Sequence, residues 1–574
     1  MTALPDTPPP RRRSRRQLTP WLFLAPGLLM FSVYVIIPIF QSVWVSFHDW
    51  DGLGPMTWVG LANYDELWWD EAFYTSLKNN VIWLALYLLA VPLGLMIALF
   101  LNQTIRGIRI YKSLFFFPFV ISQVVVGLIF SWFYAPGFGL LYALIEWATG
   151  TGVAILADER FVTYGIIAAG LWPQIAYCMI LYLTGLNAVA PDQIEAARLD
   201  GAKGWRMLWH VVLPQLRPAT FIAVVVTVIG ALRSFDLVSI MTSGGPFGSS
   251  RVLSYYMYEQ ALSEYGYRMG YGAAIAVVLF AIMMIFISGF IWKMWRDEKG
   301  TMSPAAQRTY KIVLPIMLVL WLLPLLGVAM TSVRPSGDLA AGNYFGIPSR
   351  FAWENYADVF RNSPLAQYLW NSFRITIPVM IGAVGLSCLT GFALAVYKFR
   401  LSLVVFFMFV AGNFVPFQIL MVPVRDLTVD MGLYNTITGL ALFHIAFQTG
   451  FCTLFMRNFI KALPRELIEA ARVEGVTEWQ IFWHIVLPLV RPAIAALSVL
   501  VFTFIWNDYF WAMVLTTGAD TQPVTAGLNS LNGQWIAAWH LVSAGSILAA
   551  LPPVLMFFLM QRHFIAGLTL GAVK

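Results

Sequence analysis

Long apolar stretches separated by short polar segments run through almost the whole chain. The first extends from Trp21 to Phe47 without a charged residue, long enough to cross about 30 Å of hydrocarbon as a helix. Further apolar stretches lie near 79–101, 113–134, 162–186, 217–241, 270–292, 311–331, 371–397, 401–424, 438–460, 490–517 and 541–561. The pattern predicts an all-α membrane protein with twelve transmembrane helices.

The polar segments divide these predicted spans into two halves of six. Residues 1–20 are rich in proline and arginine, and we expect them to form a disordered basic tail in the cytoplasm. The first half is predicted over 21–295 and the second over 311–574, joined by a cytoplasmic linker over 296–310.

The composition indicates that most of the surface faces lipid. Only 11% of the 574 residues are charged and 59% are hydrophobic, whereas soluble proteins carry about 25% charged residues. The net charge of +7 is divided among short segments and forms no contiguous basic face, which argues against nucleic-acid binding. The three cysteines lie in apolar stretches without metal-ligand or disulfide spacing. We therefore predict no metal site.

Basic residues between the spans predict the orientation. They concentrate in the N-terminal tail and in the segments 106–112, 187–216, 293–310, 398–400 and 457–491. The segment 48–78 is acidic instead. Because loops rich in lysine and arginine stay in the cytoplasm, we expect both termini to be cytoplasmic.

An internal repeat relates the two halves. Residues 195–218 (EAARLDGAKGWRMLWHVVLPQLRP) align without a gap with residues 469–492 (EAARVEGVTEWQIFWHIVLPLVRP), at a shift of 274 positions. Thirteen of the 24 aligned positions are identical. Since each half has an even number of predicted spans, the two copies share one orientation as parallel repeats.

The repeated segment resembles the cytoplasmic loop of bacterial ABC importer permeases, with Glu-Ala-Ala, a following glycine and a later Leu-Pro. The first half, with FLAPGLLMFSVYVIIP (23–38), WVGLANY (58–64) and MTSGGP (241–246), is similar to one permease of maltose and glycerol-3-phosphate systems. The second half, with ALPRELIEAARVEG (462–475) and FIWNDYF (504–510), resembles its partner. The resemblance implies a type I ABC importer permease fold, two permeases fused in one chain, and a bacterial cytoplasmic (inner) membrane location.

The resemblance also implies that each loop docks on a separate ATPase subunit. The implied coupling residues are Glu195, Ala196, Ala197, Gly201, Glu469, Ala470, Ala471 and Gly475. Small alanines allow a partner surface to approach closely, and glycine suits a helix end. The alternative is that each glutamate only pairs with the arginine three residues later, Arg198 or Arg472, on a solvated face.

The chain lacks the GxxxxGK[ST] phosphate-binding sequence and shows no catalytic constellation. We therefore predict a translocation subunit with no catalytic residues and no bound cofactor, ATP and Mg being used by the partner ATPase. The implied partners are two copies of an ATP-binding subunit, a soluble extracytoplasmic substrate-binding protein, the lipid bilayer and a small-molecule substrate. We expect that substrate to be a sugar or a related polyol.

Ionisable residues inside spans are costly and mark candidate pathways. The candidates here, together with their aromatic neighbours, are Arg233, Phe235, Asp236, Trp506, Asn507, Asp508 and Tyr509. Aromatic faces with amide and carboxylate groups suit a sugar. Two structural alternatives remain open: a local pair between Arg233 and Asp236, and packing or an outer aromatic belt for Trp506 and Tyr509.

A rival prediction from the same pattern is an ion-coupled secondary transporter of the twelve-span major facilitator type. That class predicts a GxxxDRxGRR-like loop after the second span. The segment found there, NQTIRGIRIYKS (102–113), does not match it. We keep secondary transport as the alternative function.

Overall fold

Helices make up almost all of the regular structure, because a backbone inside lipid must satisfy its hydrogen bonds within its own segment. The computed structural model describes residues 13–102, 107–187, 189, 191–201, 204–263, 267–294, 307–344, 346–415, 417–534 and 538–572.

In the first half the described α-helices are α1 (Arg13–Phe31), α2 (Ile37–Val45), α3 (Ala62–Trp68), α4 (Glu71–Tyr87), α5 (Ala90–Leu101), α6 (Ile108–Val120), α7 (Gln123–Phe133), α8 (Leu140–Thr149), α9 (Val162–Asn187), α10 (Pro191–Leu199), α11 (Gly204–Met207), α12 (Arg217–Leu232), α13 (Asp236–Met241), α14 (Leu253–Leu262) and α15 (Met269–Met294). Two short strands, β1 (His48–Asp49) and β2 (Thr57–Trp58), pair antiparallel between α2 and α3.

In the second half the described α-helices are α16 (Gln307–Ser332), α17 (Ser336–Ala340), α18 (Glu354–Asn362), α19 (Leu365–Val396), α20 (Ser402–Phe414), α21 (Met421–Asp430), α22 (Ile437–Lys461), α23 (Arg465–Val473), α24 (Glu478–Ile481), α25 (Leu487–Leu489), α26 (Arg491–Trp506), α27 (Phe510–Leu515), α28 (Val524–Gln534) and α29 (Trp539–Ala572).

Helices coincide with all twelve predicted spans. Among the described residues, seven helical segments are long and apolar enough to cross a membrane, and three bent pairs raise that number to ten. The remaining two predicted spans correspond to the shorter apolar helices Arg217–Leu232 and Leu318–Ser332. The twelve-span prediction is consistent with this arrangement.

Four of the predicted spans are each broken into two helices. The helices α6 and α7 meet at an angle of 95°, and α20 and α21 meet at the same angle. The fifth predicted span breaks between Leu232 and Asp236, and the eleventh between Trp506 and Phe510. The pattern of apolar stretches gives the position of each span but not the point at which its helix breaks.

Two described helices extend into the segments predicted as tail and linker. Helix α1 begins at Arg13, inside the segment predicted as a disordered tail, because arginine, glutamine and leucine favour the helix and extend it from the first span. Helix α16 begins at Gln307, inside the predicted linker. Residues 1–12 and 296–306 of the predicted tail and linker lie outside the described residues.

The first span of each half packs against the other half. In α1, a Cβ on Gly27 would lie 2.5 Å from a methyl group of Thr390, so only glycine permits this approach. In α16, the indole Nε1 of Trp321 donates a hydrogen bond of 3.1 Å to the carbonyl oxygen of Phe115. The two halves are thereby interlocked.

A buried asparagine repeats after the first span of each half. Asn63 Nδ2 donates to the carbonyl oxygens of Ser46 and His48, both at 2.9 Å. Asn355 makes the equivalent pair of bonds to two carbonyl oxygens within 332–334, at 3.0 and 2.8 Å. The repeat found in the loops therefore extends to the other end of the spans.

Candidate translocation pathway and coupling loops

The breaks in the fifth and eleventh spans contain most of the predicted pathway residues. Arg233 follows the last residue of α12, and Asp236 is the first residue of α13. In the second half, Asn507 follows α26 and Tyr509 precedes α27. A broken helix frees backbone groups and side chains at membrane depth, which is acceptable only where protein or a cavity surrounds them.

The first break contacts the second half of the chain. The guanidinium of Arg233 donates to the carbonyl oxygen of Val415, in the segment between α20 and α21. Its Cζ also lies 5.3 Å from the ring centroid of Phe417, a cation–π distance. In return, Gln418 Nε2 donates a hydrogen bond of 3.0 Å to the carbonyl oxygen of Arg233.

The second break makes the equivalent contact with the first half. Asn507 Nδ2 donates a hydrogen bond of 2.8 Å to the carbonyl oxygen of Val120, at the end of α6. Asn507 corresponds to Arg233 in the repeat, and Val120 corresponds to Val415 when FVISQ (119–123) is aligned with FVPFQ (414–418). The same contact is therefore made twice, once in each direction between the halves.

Aromatic side chains of the two halves meet between these contacts. Phe235 is 2% exposed, and its ring centroid lies 4.8 Å from that of Phe510 and 6.2 Å from that of Tyr509. The Tyr509 hydroxyl is hydrogen-bonded to Ser239 Oγ at 3.0 Å. Phe235 and Tyr509 thus lie on either side of the boundary between the halves.

Each break also has a carboxylate at or beside it. Asp508 Oδ2 lies 3.2 Å from Nε2 of the buried His444, and the carboxylate accepts the backbone N–H of Ala512 at 3.1 Å, which caps α27. Asp236 is partly buried at the start of α13. Within the described residues, no group of three or more His, Cys, Asp or Glu could hold a metal ion.

Trp506 lies apart from the other pathway candidates. It is 1% exposed, and its Nε1 donates a hydrogen bond of 3.0 Å to the carbonyl oxygen of Ala549. Its ring packs against Phe373 and Phe502, at centroid distances of 4.7 and 5.6 Å. The structure therefore places Trp506 in the packing of the second half, the alternative left open by the sequence.

The two predicted coupling segments form short helices, α10 and α23. Each is followed by a glycine in the left-handed region, Gly201 with φ +78° and Gly475 with φ +81°, as expected for a glycine at a helix end. Ala196 and Ala470 are exposed, whereas Ala471 is buried and Ala197 half-buried.

Glu195 and Glu469 project from these helices into solvent. Within the described part of the chain neither makes a side-chain hydrogen bond or an ion pair. Arg472 binds Glu478 instead, with Nε–Oε1 and Nη2–Oε2 distances of 2.7 and 3.0 Å. The local pairing considered from the sequence is therefore not formed.

Several residues in these sites were missed from the sequence. They are Val120, Val415, Gln418, Ser239, Glu478 and Tyr397, whose hydroxyl donates a hydrogen bond to Glu478. The two valines could have been found from the sequence, because FVxxQ occurs in both halves, at 119–123 and 414–418. These copies are 295 positions apart, whereas the coupling segments are 274 positions apart. The first half has extra residues between its third and fourth spans, where α8 lies, and these account for the two registers.

Known proteins match each half of the chain separately. The family described as "Binding-protein-dependent transport system inner membrane component" matches residues 90–294 and again residues 383–569. A probable ABC transporter permease of Pyrococcus horikoshii is 33% identical over 48% of this chain and 96% of its own length. An osmoprotective compounds uptake permease of Synechocystis sp. is 34% identical over 44% of this chain and 88% of its own length.

Two further proteins that resemble halves of this chain have names that mention saccharides. The arabinooligosaccharides transport system permease of Halalkalibacterium halodurans is 34% identical over 44% of this chain and 90% of its own length. A solved bacterial ABC transporter that imports the acidic polysaccharide alginate covers 49% of this chain and 96% of its own, with 21% identity and a TM-score of 0.43.

The relatives are thus covered almost completely by half of this chain. Members of the matched family are translocation components of importers, not enzymes, and bind no cofactor themselves. The repeat, the interlocked helices and the two separate family matches agree with one another. The chain belongs to the binding-protein-dependent transport system inner membrane components, and it is a fusion of two such permeases in one polypeptide.

Proposed function

We propose that this chain forms the pathway of an ATP-driven importer for sugars or related polyols, and that the substrate crosses between the two helix breaks. The observation that carries the proposal is the reciprocal contact of Arg233 with Val415 and of Asn507 with Val120. Ion-coupled secondary transport, the alternative, has no support from the family match.

The reciprocal contacts hold the two halves together at the breaks. Opening the pathway requires both to separate, which leaves two backbone carbonyl oxygens without their donors inside the protein. An unpaired buried group costs about 1–3 kcal/mol. A substrate rich in hydroxyl groups lowers this cost, because its hydroxyls donate to the freed carbonyls.

The other side chains at the breaks suit the same substrate class. Phe235 and Tyr509 offer ring faces to the apolar side of a sugar, and Asp236 and Asp508 accept hydrogen bonds from its hydroxyls. Trp506 would not contact the substrate; its hydrogen bond holds the end of α26 against α29 and so positions the break. Relatives named for arabinooligosaccharides and osmoprotective compounds support this choice.

ATPase subunits would drive the opening from the cytoplasmic side, with both termini on that side. We propose that one copy docks at α10 through Glu195 and one at α23 through Glu469, next to the exposed alanines Ala196 and Ala470. The full set of coupling positions remains Glu195, Ala196, Ala197, Gly201, Glu469, Ala470, Ala471 and Gly475. ATP and Mg would be bound by those subunits, and a soluble substrate-binding protein would deliver the substrate from outside.

Charge reversal at the two glutamates tests this proposal. The variant Glu195→Lys/Glu469→Lys should lose the co-purifying ATP-binding subunit and ATP-dependent uptake into proteoliposomes that contain the binding protein. The matched control is Asp192→Lys/Glu466→Lys, which reverses exposed carboxylates on the same two helices. Assembly and uptake that persist unchanged in the first variant would refute the docking.

A further inference from the structure

The second coupling loop contains a cluster of three hydrogen-bonded side chains. The Glu478 carboxylate accepts hydrogen bonds from Arg472 Nε at 2.7 Å, from Arg472 Nη2 at 3.0 Å and from the Tyr397 hydroxyl at 2.7 Å. The Arg472 guanidinium also lies 5.7 Å from the Tyr397 ring centroid. We call Arg472, Glu478 and Tyr397 the clamp.

The clamp connects three separate elements. Arg472 lies in the last turn of the coupling helix α23, Glu478 is the first residue of α24, and Tyr397 directly follows the membrane-spanning α19. The paired side chains of Arg472 and Glu478 are only 28% and 27% exposed. A bidentate arginine–carboxylate pair with this shielding fixes both distance and orientation. Consistently, its hydrogen bond to Glu478 raises the pKa of Arg472.

The first half of the chain packs against the same cluster. Phe23 of α1 lies with its ring centroid 5.3 Å from that of Trp479 and 5.5 Å from that of Phe482, the residues that follow Glu478. It also contacts Phe392 of α19 at 4.9 Å. The segment that follows α23 is therefore in contact both with α19 and with the first span of the opposite half.

The first loop cannot form the same cluster. At the shift of 274, Glu478 corresponds to Gly204, which has no side chain, and Arg472 corresponds to Arg198. Arg198 is exposed, and it makes no ion pair with any residue that the structure describes. Among the described residues of the first loop, an exposed hydrogen bond of 2.7 Å from Gln215 Nε2 to Gln193 Oε1 joins α10 to the segment before α12.

We infer that the two coupling loops are unequal, and that the clamp makes the second loop the main transmitter of ATPase movement to the spans. This builds on the proposed docking of an ATPase subunit at each loop. Arg472, Glu478 and Tyr397 act as positioning residues, since they hold α23 to the membrane helices and leave Glu469 free for the partner. The first loop serves mainly to hold its ATPase subunit in place.

The test measures the number of substrate molecules imported per ATP hydrolysed, in proteoliposomes with the ATPase subunit and the binding protein. Arg472→Gln and Glu478→Gln should retain the ATPase subunit but lower this ratio about fivefold, the lower end of ordinary coupling energies. Tyr397→Phe, which removes one hydroxyl only, should lower it less. The double exchange Arg472→Glu/Glu478→Arg should restore much of the ratio.

The matched control is Arg198→Gln, the corresponding change in the first loop, which should leave the ratio unchanged. An equal fall in Arg198→Gln, or an unchanged ratio in Arg472→Gln, would overturn the inequality of the loops. Loss of the ATPase subunit from Arg472→Gln would also overturn it, because Arg472 would then be a docking residue. Failure of the docking proposal itself would show in the glutamate reversals, where the subunit would remain bound.

Discussion

Asn507 Nδ2 donates a hydrogen bond of 2.8 Å to the carbonyl oxygen of Val120, a residue 387 positions earlier in the chain. The donor lies at a helix break of the second half and the acceptor at a helix break of the first. Arg233 and Val415 form the counterpart. These bonds join the halves where the pathway is proposed to open, so their removal should favour opening.

Replacing Asn507 by leucine should raise ATP hydrolysis in the absence of the binding protein. The change keeps the side-chain size but leaves the Val120 carbonyl without its donor, which costs the closed state about 1–3 kcal/mol. A coupling change of that size corresponds to about fivefold or more, so we expect at least that rise in basal hydrolysis by reconstituted complexes.

Asn362→Leu is the control for this variant, because Asn362 is exposed at the end of α18. It should leave basal hydrolysis unchanged. Wild-type hydrolysis in Asn507→Leu would mean that the contact with Val120 does not hold the pathway closed.

Replacing Asp508 by asparagine should impair uptake while the complex still assembles. The amide keeps the shape of the carboxylate but removes the charge beside His444 and weakens acceptance of substrate hydroxyls. Hydrogen bonds to charged groups contribute about 1.5–3 kcal/mol, so kcat/KM for uptake should fall about tenfold. Asp430→Asn, at the exposed end of α21, should behave as wild type. An unchanged kcat/KM in Asp508→Asn would remove this carboxylate from the pathway.

Replacing Gly391 by alanine should destabilise the second half. A Cβ at this position of α19 would lie 2.9 Å from Met456 Cβ and 3.0 Å from the backbone nitrogen of Arg457 in α22. The two helices would have to separate, and overpacking of this kind costs about 1–3 kcal/mol. We expect a lower Tm for the purified protein in detergent.

Gly385→Ala is the matched control, because it lies in the same helix and a Cβ there meets no atom within 4 Å. It should keep or slightly raise Tm, since alanine favours helices over glycine by about 1 kcal/mol. Equal Tm values for the two variants would show that α19 and α22 do not require this close contact.

Replacing Asn355 by alanine should destabilise the segment after the seventh span. Asn355 is 4% exposed and donates to two carbonyl oxygens, which would lose their partner. Each unpaired buried carbonyl costs about 1–3 kcal/mol, so Tm should fall, and Asn63→Ala should lower it similarly. Asn362→Ala, an exposed site, should have little effect. A normal Tm in both buried variants would contradict the structural role of this repeated asparagine.

The sequence alone determined the class of protein, the positions of the spans and the relation between the halves. Hydropathy is a local property, so each apolar stretch indicates a helix wherever it lies in the fold. The repeat of 195–218 in 469–492 needed no structure either, because the two segments have kept their register. The glycines Gly201 and Gly475 marked the ends of the coupling helices correctly for the same local reason.

The tertiary structure alone decided what the polar residues of the spans contact. Arg233 and Asn507 were found as costly polar residues, but their partners are backbone carbonyl oxygens in the opposite half. Every residue has a carbonyl, so such a partner leaves no mark in the sequence. Trp506 adjoins Asn507 in the chain yet packs in the opposite direction, against Ala549. These contacts join residues far apart in the chain, so only the packing of the two halves decides which carbonyl oxygen each side chain meets.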